Sequence, residues 1–258
     1  MVGSVGKTSL FAPMKKIPVS LQLWSLRDLY NKDFAATVAE VAKIGYTGVE
    51  TAGYGNLDGV GAAKAVADAG LKVSGMHVGI DALRNTPNQV ILDALRFGCT
   101  DVICPWFPKE LLATAAACQA LGEELDAIGA RLRAQGIRFH YHNHDFELKT
   151  VEGRRVFDWI LDAASPRNLL CEADVFWVHA GGKNPGEFIR EQGRRIKLLH
   201  LKDDKEIGGG PVDFPEVFAA VESIGAVEWY VVEVEKYNHA PLESVRLSLE
   251  QLKKWGKA

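Results

Sequence analysis

No run of apolar residues in this chain approaches the roughly 20 that a membrane-spanning helix needs. The opening stretch Met1–Lys16 holds too short an apolar segment for a secretory leader. These two absences make a cytoplasmic location the expectation. Basic charge is not in excess: Lys+Arg number 30 against 33 Asp+Glu, a net charge of −3. The broad positive field that nucleic-acid binders use is therefore missing. Cysteine is scarce, and Cys99, Cys104, Cys118 and Cys171 form no CxxC pair, so they read as reduced, mostly buried thiols. No Pro/Ser-rich linker divides the chain, and no GxGxxG turn follows the first strand candidate, as an open dinucleotide-binding sheet would require. Gly6-Lys7-Thr8 resembles the end of a phosphate-binding loop, but the partner glycine would have to stand at Met1, with no room for the preceding strand.

What the chain does have is alternation. Short β-rich runs are each followed by a longer stretch of helical period. The spacing predicts strands at Pro18–Leu23, Gly48–Thr51, Lys72–Val78, Asp101–Cys104, Arg138–Asn143, Leu169–Asp174, Ile196–Lys202 and Trp229–Val234. Helices are predicted at Phe34–Ile44, Gly61–Ala69, Pro87–Phe97, Leu111–Ala134, Val156–Ala164, Pro185–Gln192, Pro215–Ile224 and Leu242–Lys254. Gly45, Gly70, Gly98, Gly136 and Gly225 each fall just after a helical stretch, where a left-handed C-terminal cap favours glycine, and Asp33 suits an N-cap. Eight β/α units in 258 residues point to one closed (β/α)8 TIM barrel over residues 16–258, after an irregular arm at 1–15.

A barrel places its chemistry at the C-terminal ends of the strands. Polar residues collect there: Glu50, His77, the run Tyr141-His142-Asn143-His144-Asp145-Phe146-Glu147, then Glu172 and Asp174, His200 and Lys202, Glu233 and Glu235. Residues two apart share a strand face. Four successive strands thus offer inward carboxylates or imidazoles, and leaving these unpaired would cost several kcal/mol each. Taken singly, each has a structural explanation: a strand-end His is commonly a hydrogen-bonded core residue, and an Asp before a loop is commonly a cap. Together they suit one divalent cation. One group per strand gives His142, Asp174, His200 and Glu233 as ligands, a mixed N/O set for Mn2+, Co2+, Fe2+, Zn2+ or, less well, Mg2+. Glu147, five residues past His142, is the alternative on strand five, either as a ligand or as an acid/base group. Trp24, Trp106 and Trp177 fall at strand tops and could form apolar walls, although aromatics there are also ordinary core. Gly208–Gly210 reads as a turn into the next helix rather than a phosphate cradle.

His142-Asn143-His144-Asp145-Phe146-Glu147, Glu172-Ala173-Asp174-Val175-Phe176-Trp177, His200-Leu201-Lys202-Asp203 and Glu233 together resemble the xylose isomerase-like TIM barrel superfamily, the sugar phosphate isomerase/epimerase group. The resemblance runs from about Ile17 to the C-terminus. Gly48-Val49-Glu50 and the loop Gly208–Phe214 add to it. It implies a single divalent metal on His142, Asp174, His200 and Glu233. The sequence departs at strand five, where ketose epimerases carry a Glu ligand and this chain has Tyr141 or His142, depending on register. Inosose dehydratases, with a similarly His-rich strand five, and lyases of 3-keto-glycosides are closer chemical analogues.

The implied chemistry is a metal-dependent sugar or polyol isomerase or epimerase. The cation would act as a Lewis acid on two adjacent substrate oxygens and stabilise an enediolate formed by C–H proton removal. Glu147, His144 and Glu233 are the candidate proton-transfer groups. Glu50, His77, Lys202 and Trp177 are the candidate substrate contacts. Loss of a β-oxygen instead would make the chain a dehydratase or lyase on keto-inositol or 3-keto-glycoside substrates. A non-catalytic sugar-binding barrel is the remote alternative. The endonuclease members of the superfamily use extra His ligands. This chain has Glu50 on strand two and Trp177 three residues past Asp174, so nucleic acid is not the expected partner. The partner is a small sugar or polyol, no membrane is involved, and a homo-oligomer stays compatible with the sequence.

Overall fold

Each β-rich run of the sequence becomes one stave of a closed parallel barrel in the computed structural model, which describes residues 16–258. The expected arm at residues 1–15, with Gly6-Lys7-Thr8, lies outside the described residues. The staves are β1 (Val19–Gln22), β2 (Gly48–Thr51), β3 (Lys72–His77), β4 (Asp101–Cys104), β5 (Arg138–His142), β6 (Leu170–Asp174), β7 (Ile196–Lys202) and β8 (Trp229–Glu233). Every strand pairs with its sequence neighbour, and β1 closes on β8 through Val19–Tyr230, Ser20–Val231 and Leu21–Val232. Between them run α1 (Phe34–Ile44), α2 (Gly59–Asp68), α3 (Pro87–Phe97), α4 (Ala115–Arg133), α5 (Val156–Asp162), α6 (Pro185–Gln192), α7 (Phe214–Ile224) and, last, α8 (Pro241–Lys254). No helix among the described residues is long and apolar enough to cross a membrane.

Strand alternation sorts the residues. Leu21, Val49, Phe139, Tyr141, Ala173, Leu199, Leu201 and Val232 point outward into one continuous core against the helices. Burying each large aliphatic there contributes roughly 1.5–3 kcal/mol. Ile103, Leu198 and Val231 are also buried but stand apart from that cluster, in the interior of the barrel. Ser74 Oγ donates to Ser20 Oγ at 2.8 Å on the same inner face. At the lower rim, Asp101 accepts two hydrogen bonds from the Arg138 guanidinium (2.7 and 2.8 Å) and lies 2.7 Å from His140 Nε2.

The helix punctuation matches its physical cause. The Asp33 side chain accepts from Ala36 N–H to open α1, which buries Phe34, Val38 and Val41 along one stripe. Gly45, Gly70, Gly98, Gly136 and Gly225 all carry positive φ. The expected helix Leu111–Ala134 is split, because Thr114 is extended and caps α4 through Ala117 N–H, leaving Lys109–Leu112 as a separate 3-10 turn. Further short pieces were not anticipated by the periodicity: helical turns at Leu23–Leu26, Arg27–Tyr30, Phe146–Leu148 and Gly193–Arg195, short helices Ile80–Asn85 and Val175–Ala180, and a hairpin pairing Thr150–Val151 with Arg154–Arg155. Each is too short to carry a periodic signal.

Candidate functional site

The inward polar residues form two layers whose heights are set by strand register. His142 pairs with Glu172 across β5 and β6, whereas Asp174 pairs with His200 across β6 and β7. The lower layer is Glu50, His77, His142 and Glu172. The upper layer contains Asp174 and Glu233, with Lys202 beside them. The His200 ring spans both.

In the lower layer, His77 Nε2 lies 2.8 Å from Glu172 Oε2 and 2.9 Å from Glu50 Oε1. His142 Nδ1 lies 3.0 Å from Glu172 Oε2. Gln22 Nε2 donates to Glu50 Oε1 at 2.7 Å. Gly75 makes room for this carboxylate, since a Cβ there would come within 2.6 Å of Glu50 Oε2. Burial pushes the Glu172 carboxyl up to about 8, helped by the neighbouring Glu50 charge. Burial also acts against ionised Glu50, but the His77 and His200 imidazoles outweigh it and hold that carboxyl well below its ordinary range. His77 is the counterpart: burial disfavours its charge, yet Glu50 and Glu172 raise it to about 9. His142, desolvated and facing the other imidazoles, is held well below its usual value and stays neutral.

His200 Nε2 sits 2.8 Å from Glu50 Oε1, while its Nδ1 faces Glu233 Oε2 at 3.4 Å and Asp174 Oδ2 at 3.8 Å. Glu50 is placed to orient this ring through one nitrogen and free the other for the upper layer, the arrangement that carboxylate–histidine pairs adopt behind a metal ligand. Asp174 serves two purposes. Its Oδ1 accepts Trp177 N–H and caps the helix Val175–Ala180, as an Asp before a loop commonly does. Its Oδ2 is buried with no hydrogen-bond partner. Burial lifts this carboxyl to about 6, against the pull of Lys202 and His200. Ligand atoms of Asp174, His200 and Glu233 all lie within 4.8 Å of one another. Two carboxylates, one of them with an orphaned buried oxygen, and one imidazole nitrogen are a donor set that fits a divalent cation.

The expected four-ligand set is divided by this geometry. Asp174, His200 and Glu233 come together, but His142 groups with His77, Glu172 and His200 one layer down. His144, two residues further along, reaches the mouth instead, and its Nδ1 is buried without a partner. Its imidazole is held down to about 4, chiefly by burial and then by the Lys202 charge.

Glu147 is not brought into the pocket. Tyr141 points outward, its hydroxyl donates to Glu147 Oε1 at 2.8 Å, and His144 N–H donates to Glu147 Oε2 at 2.7 Å. The carboxyl therefore lies fully buried outside the strands, pinning the loop after β5 rather than facing substrate, and burial raises it to about 7. Glu50 is likewise buried beneath the mouth: Gln22, His77 and His200 all meet its Oε1, while its Oε2 is buried without a partner. His77 and Lys202 do line the cavity. Trp177 acts from behind: its ring centroid lies 4.7 Å from Lys202 Nζ, a cation–π contact on an ammonium also bonded to Glu233 (3.1 Å) and Glu235 (2.8 Å). The Gly208–Gly210 turn cradles no free anion site: Gly208 and Gly210 N–H both donate to Asp203 Oδ2.

Above the upper layer opens a cavity of about 550 Å3. His77, His142, His144, Lys202, Glu233 and Glu235 line it together with Trp24, Trp106 and Pro105. Glu235 was part of the same-face pattern on β8, but its pairing with Lys202 was not foreseeable without the turn that follows the strand.

A parallel eight-stranded barrel with carboxylates and imidazoles gathered at the C-terminal mouth defines the class: an α/β-barrel protein whose site is built at the strand ends. The particular family follows from residues 38–255, which match the model of the xylose isomerase-like TIM barrel, and the chain belongs to that family. A sugar phosphate isomerase/epimerase from Parabacteroides distasonis superposes with a TM-score of 0.83 at 25% identity, over 92% of this chain and 98% of that one. An L-ribulose 3-epimerase shares the fold with a TM-score of 0.72 at 15% identity, over 93% of this chain and 94% of that one. In sequence, an inosose dehydratase of Geobacillus thermodenitrificans is 24% identical over 157 residues, covering 51% of this chain and 52% of that protein, about half the length of the curated relative.

Proposed function

We propose that this protein is a metal-dependent sugar or polyol isomerase or epimerase that removes a proton from a carbon next to a carbonyl. The observation that carries the reading is the convergence of Asp174, His200 and Glu233 around the unpartnered Asp174 Oδ2, beside a cavity that Glu233 lines. These three residues would hold the cation, and His142, whose ring lines the same cavity, is the β5 candidate for a fourth ligand. When bound, a divalent cation supplies Lewis-acid polarisation of adjacent substrate oxygens. Glu233 stands on one side of the cavity as a carboxylate base, held in its ionised form against burial by Lys202 and His200. His144 stands on the other side as a neutral imidazole able to accept or return a proton. Lys202, kept charged by Glu233, Asp174 and Glu235 against its burial, is positioned to donate to a substrate oxygen. The substrate is a small sugar or polyol, and the family's sugar-processing relatives support that class. A cytoplasmic location agrees with this role.

A second reading, dehydration or glycoside cleavage from the same enediolate, is favoured by the likeness to an inosose dehydratase. Solvent deuterium separates the cases. In D2O with Mn2+, a panel of ketoses and keto-glycosides should yield at least one compound that gains deuterium at the carbon next to its carbonyl. Glu233→Gln should reduce that exchange by at least about a hundredfold. A rearranged product means isomerisation or epimerisation, and an unsaturated product with a released alcohol or water means the lyase. A panel with no exchange at all would leave only a binding barrel.

A further inference from the structure

Two buried polar side chains of the loop after β5 stay outside the cavity, yet each grips the backbone of a residue that the site uses. The first is Asn143. The ladder between β5 and β6 ends at His142–Glu172. One step further on, the Asn143 amide bridges the two chains: its Oδ1 accepts Asp174 N–H at 3.0 Å, and its Nδ2 lies 3.5 Å from Asp174 O. A side-chain amide holds an acceptor and a donor side by side in one rigid plane, which suits it to replace a rung of the ladder. The Asp174 carboxylate faces two ways, one oxygen to Trp177 N–H and the other to the converged donor set. The direction of its backbone therefore decides whether it reaches both.

The second grip is Glu147. Both of its oxygens are occupied, one by the Tyr141 hydroxyl and one by His144 N–H. Tyr141 is locked in the core outside the strands, whereas His144 lines the cavity. This carboxyl thus ties the backbone of a mouth residue to a ring that cannot move. The His144 imidazole is enclosed in turn. Phe146 stacks on it with 5.7 Å between centroids, and Trp177 and His142 pack against it at 5.4 and 5.2 Å. Gly181 closes on the same loop: a Cβ there would lie 2.6 Å from Leu148 Cβ and 3.1 Å from Asp145 O. Packing this close leaves the loop one arrangement.

We propose, resting on the metal-dependent proton-transfer reading above, that Asn143 and Glu147 are positioning residues with separate duties: Asn143 sets Asp174 for the cation, and Glu147 sets His144 for the proton. Glu147 itself carries no proton in the reaction. An amide of the same shape can then take its place, with its oxygen on His144 N–H and its nitrogen donating to the Tyr141 hydroxyl oxygen. A group that carried the proton could not be replaced in that way.

The test pairs two readouts on the full chain: calorimetric titration of EDTA-treated protein with Mn2+, and deuterium exchange into the ketose and keto-glycoside panel at saturating Mn2+. Asn143→Ala should weaken Mn2+ binding at least about tenfold, the loss that an outer partner of a ligand brings. Asn143→Ser, polar but too short to span the gap, should weaken it likewise and stands in should the alanine variant not fold. Glu147→Ala should leave Mn2+ binding as in the parent and lower kcat for exchange at least about tenfold through misplacement of His144. Glu147→Gln should restore most of that rate. Thermal unfolding without Mn2+ shows which variants are folded. Folded Asn143 variants that bind Mn2+ as the parent does, Glu147→Ala exchanging at the parent rate, or Glu147→Gln as slow as Glu147→Ala would each overturn the proposal and leave the proton-transfer reading in place. If the parent binds Mn2+ but no compound exchanges, the His144 backbone amide in 15N-histidine-labelled protein is the readout: it should move upfield in Glu147→Ala and return in Glu147→Gln, and an unmoved amide overturns the Glu147 assignment. A parent that binds no Mn2+ brings down the metal reading itself, and this inference with it.

Discussion

Single atoms at the mouth of this barrel have divided duties, and Asp174 is the clearest case. One carboxylate oxygen closes a helix turn and the other is left buried without a partner. A cap alone would not require the second oxygen to be buried, and an uncompensated buried acceptor costs about 1–3 kcal/mol. The same logic separates His142 from His144: His142 Nδ1 meets Glu172, whereas His144 Nδ1 is buried without a partner. Protein purified without chelator should carry about one divalent ion per chain, a count that follows from one converged donor set. Asp174→Ala and His200→Ala should each reduce that content at least about tenfold, since loss of even an outer partner of a ligand costs 10–100-fold in affinity. Plasma mass spectrometry of the folded variants reads the result, and full occupancy in both would remove these residues from the ligand set.

At the scale of elements, close approach and charge pairing decide what a substitution does. Helix α4 runs so near α5 and the segment after it that a Cβ on Gly129 would lie 1.9 Å from the Asn168 carbonyl oxygen, and one on Gly122 2.3 Å from that of Ile160. Gly129→Ala should therefore destabilise by about 1–3 kcal/mol through overpacking, against the small gain that alanine brings to an unstrained helix. Urea denaturation reads this directly. At the lower rim, burial works against the Asp101 charge, but His140 and Arg138 outweigh it and bring the carboxyl down to about 2 from 3.8. A depressed carboxylate lends its stability above its unfolded value and loses it as pH falls through the folded one. Asp101→Asn should thus cost about 2 kcal/mol at neutral pH, and its stability should converge with that of the parent protein between pH 4 and pH 2. A gap that stays constant across that window would mean that the Asp101 charge is not what the cluster uses.

For the whole molecule, the site ties distant parts of the chain together: Asp174, His200 and Glu233 come from three strands, and Glu50, which orients His200, from a fourth. A cation bound there binds the folded chain and not the unfolded one. At a Mn2+ concentration about 100-fold above the dissociation constant this adds about 2.7 kcal/mol, equivalent to a rise in Tm of roughly 5–10 °C for a domain of this size. Scanning calorimetry with Mn2+ and then with excess EDTA should show that rise and its reversal, and the His200→Ala variant should show neither.

The sequence by itself determined the barrel, because alternation, helical period and glycine caps are local signals repeated eight times, and each predicted strand coincides with a stave to within a residue or two at its ends. It also determined which side chains face inward, since period two is a property of the strand alone. It named Asp174, His200 and Glu233 together for that reason. What only the tertiary structure decided is height. The stagger between neighbouring strands puts His142 level with Glu172 and leaves Asp174 level with His200, and no single strand carries that offset. For the same reason Glu50 lies beneath the mouth rather than in it. Glu147 leaves the site through a turn whose direction is fixed by its bond to the outward-facing Tyr141.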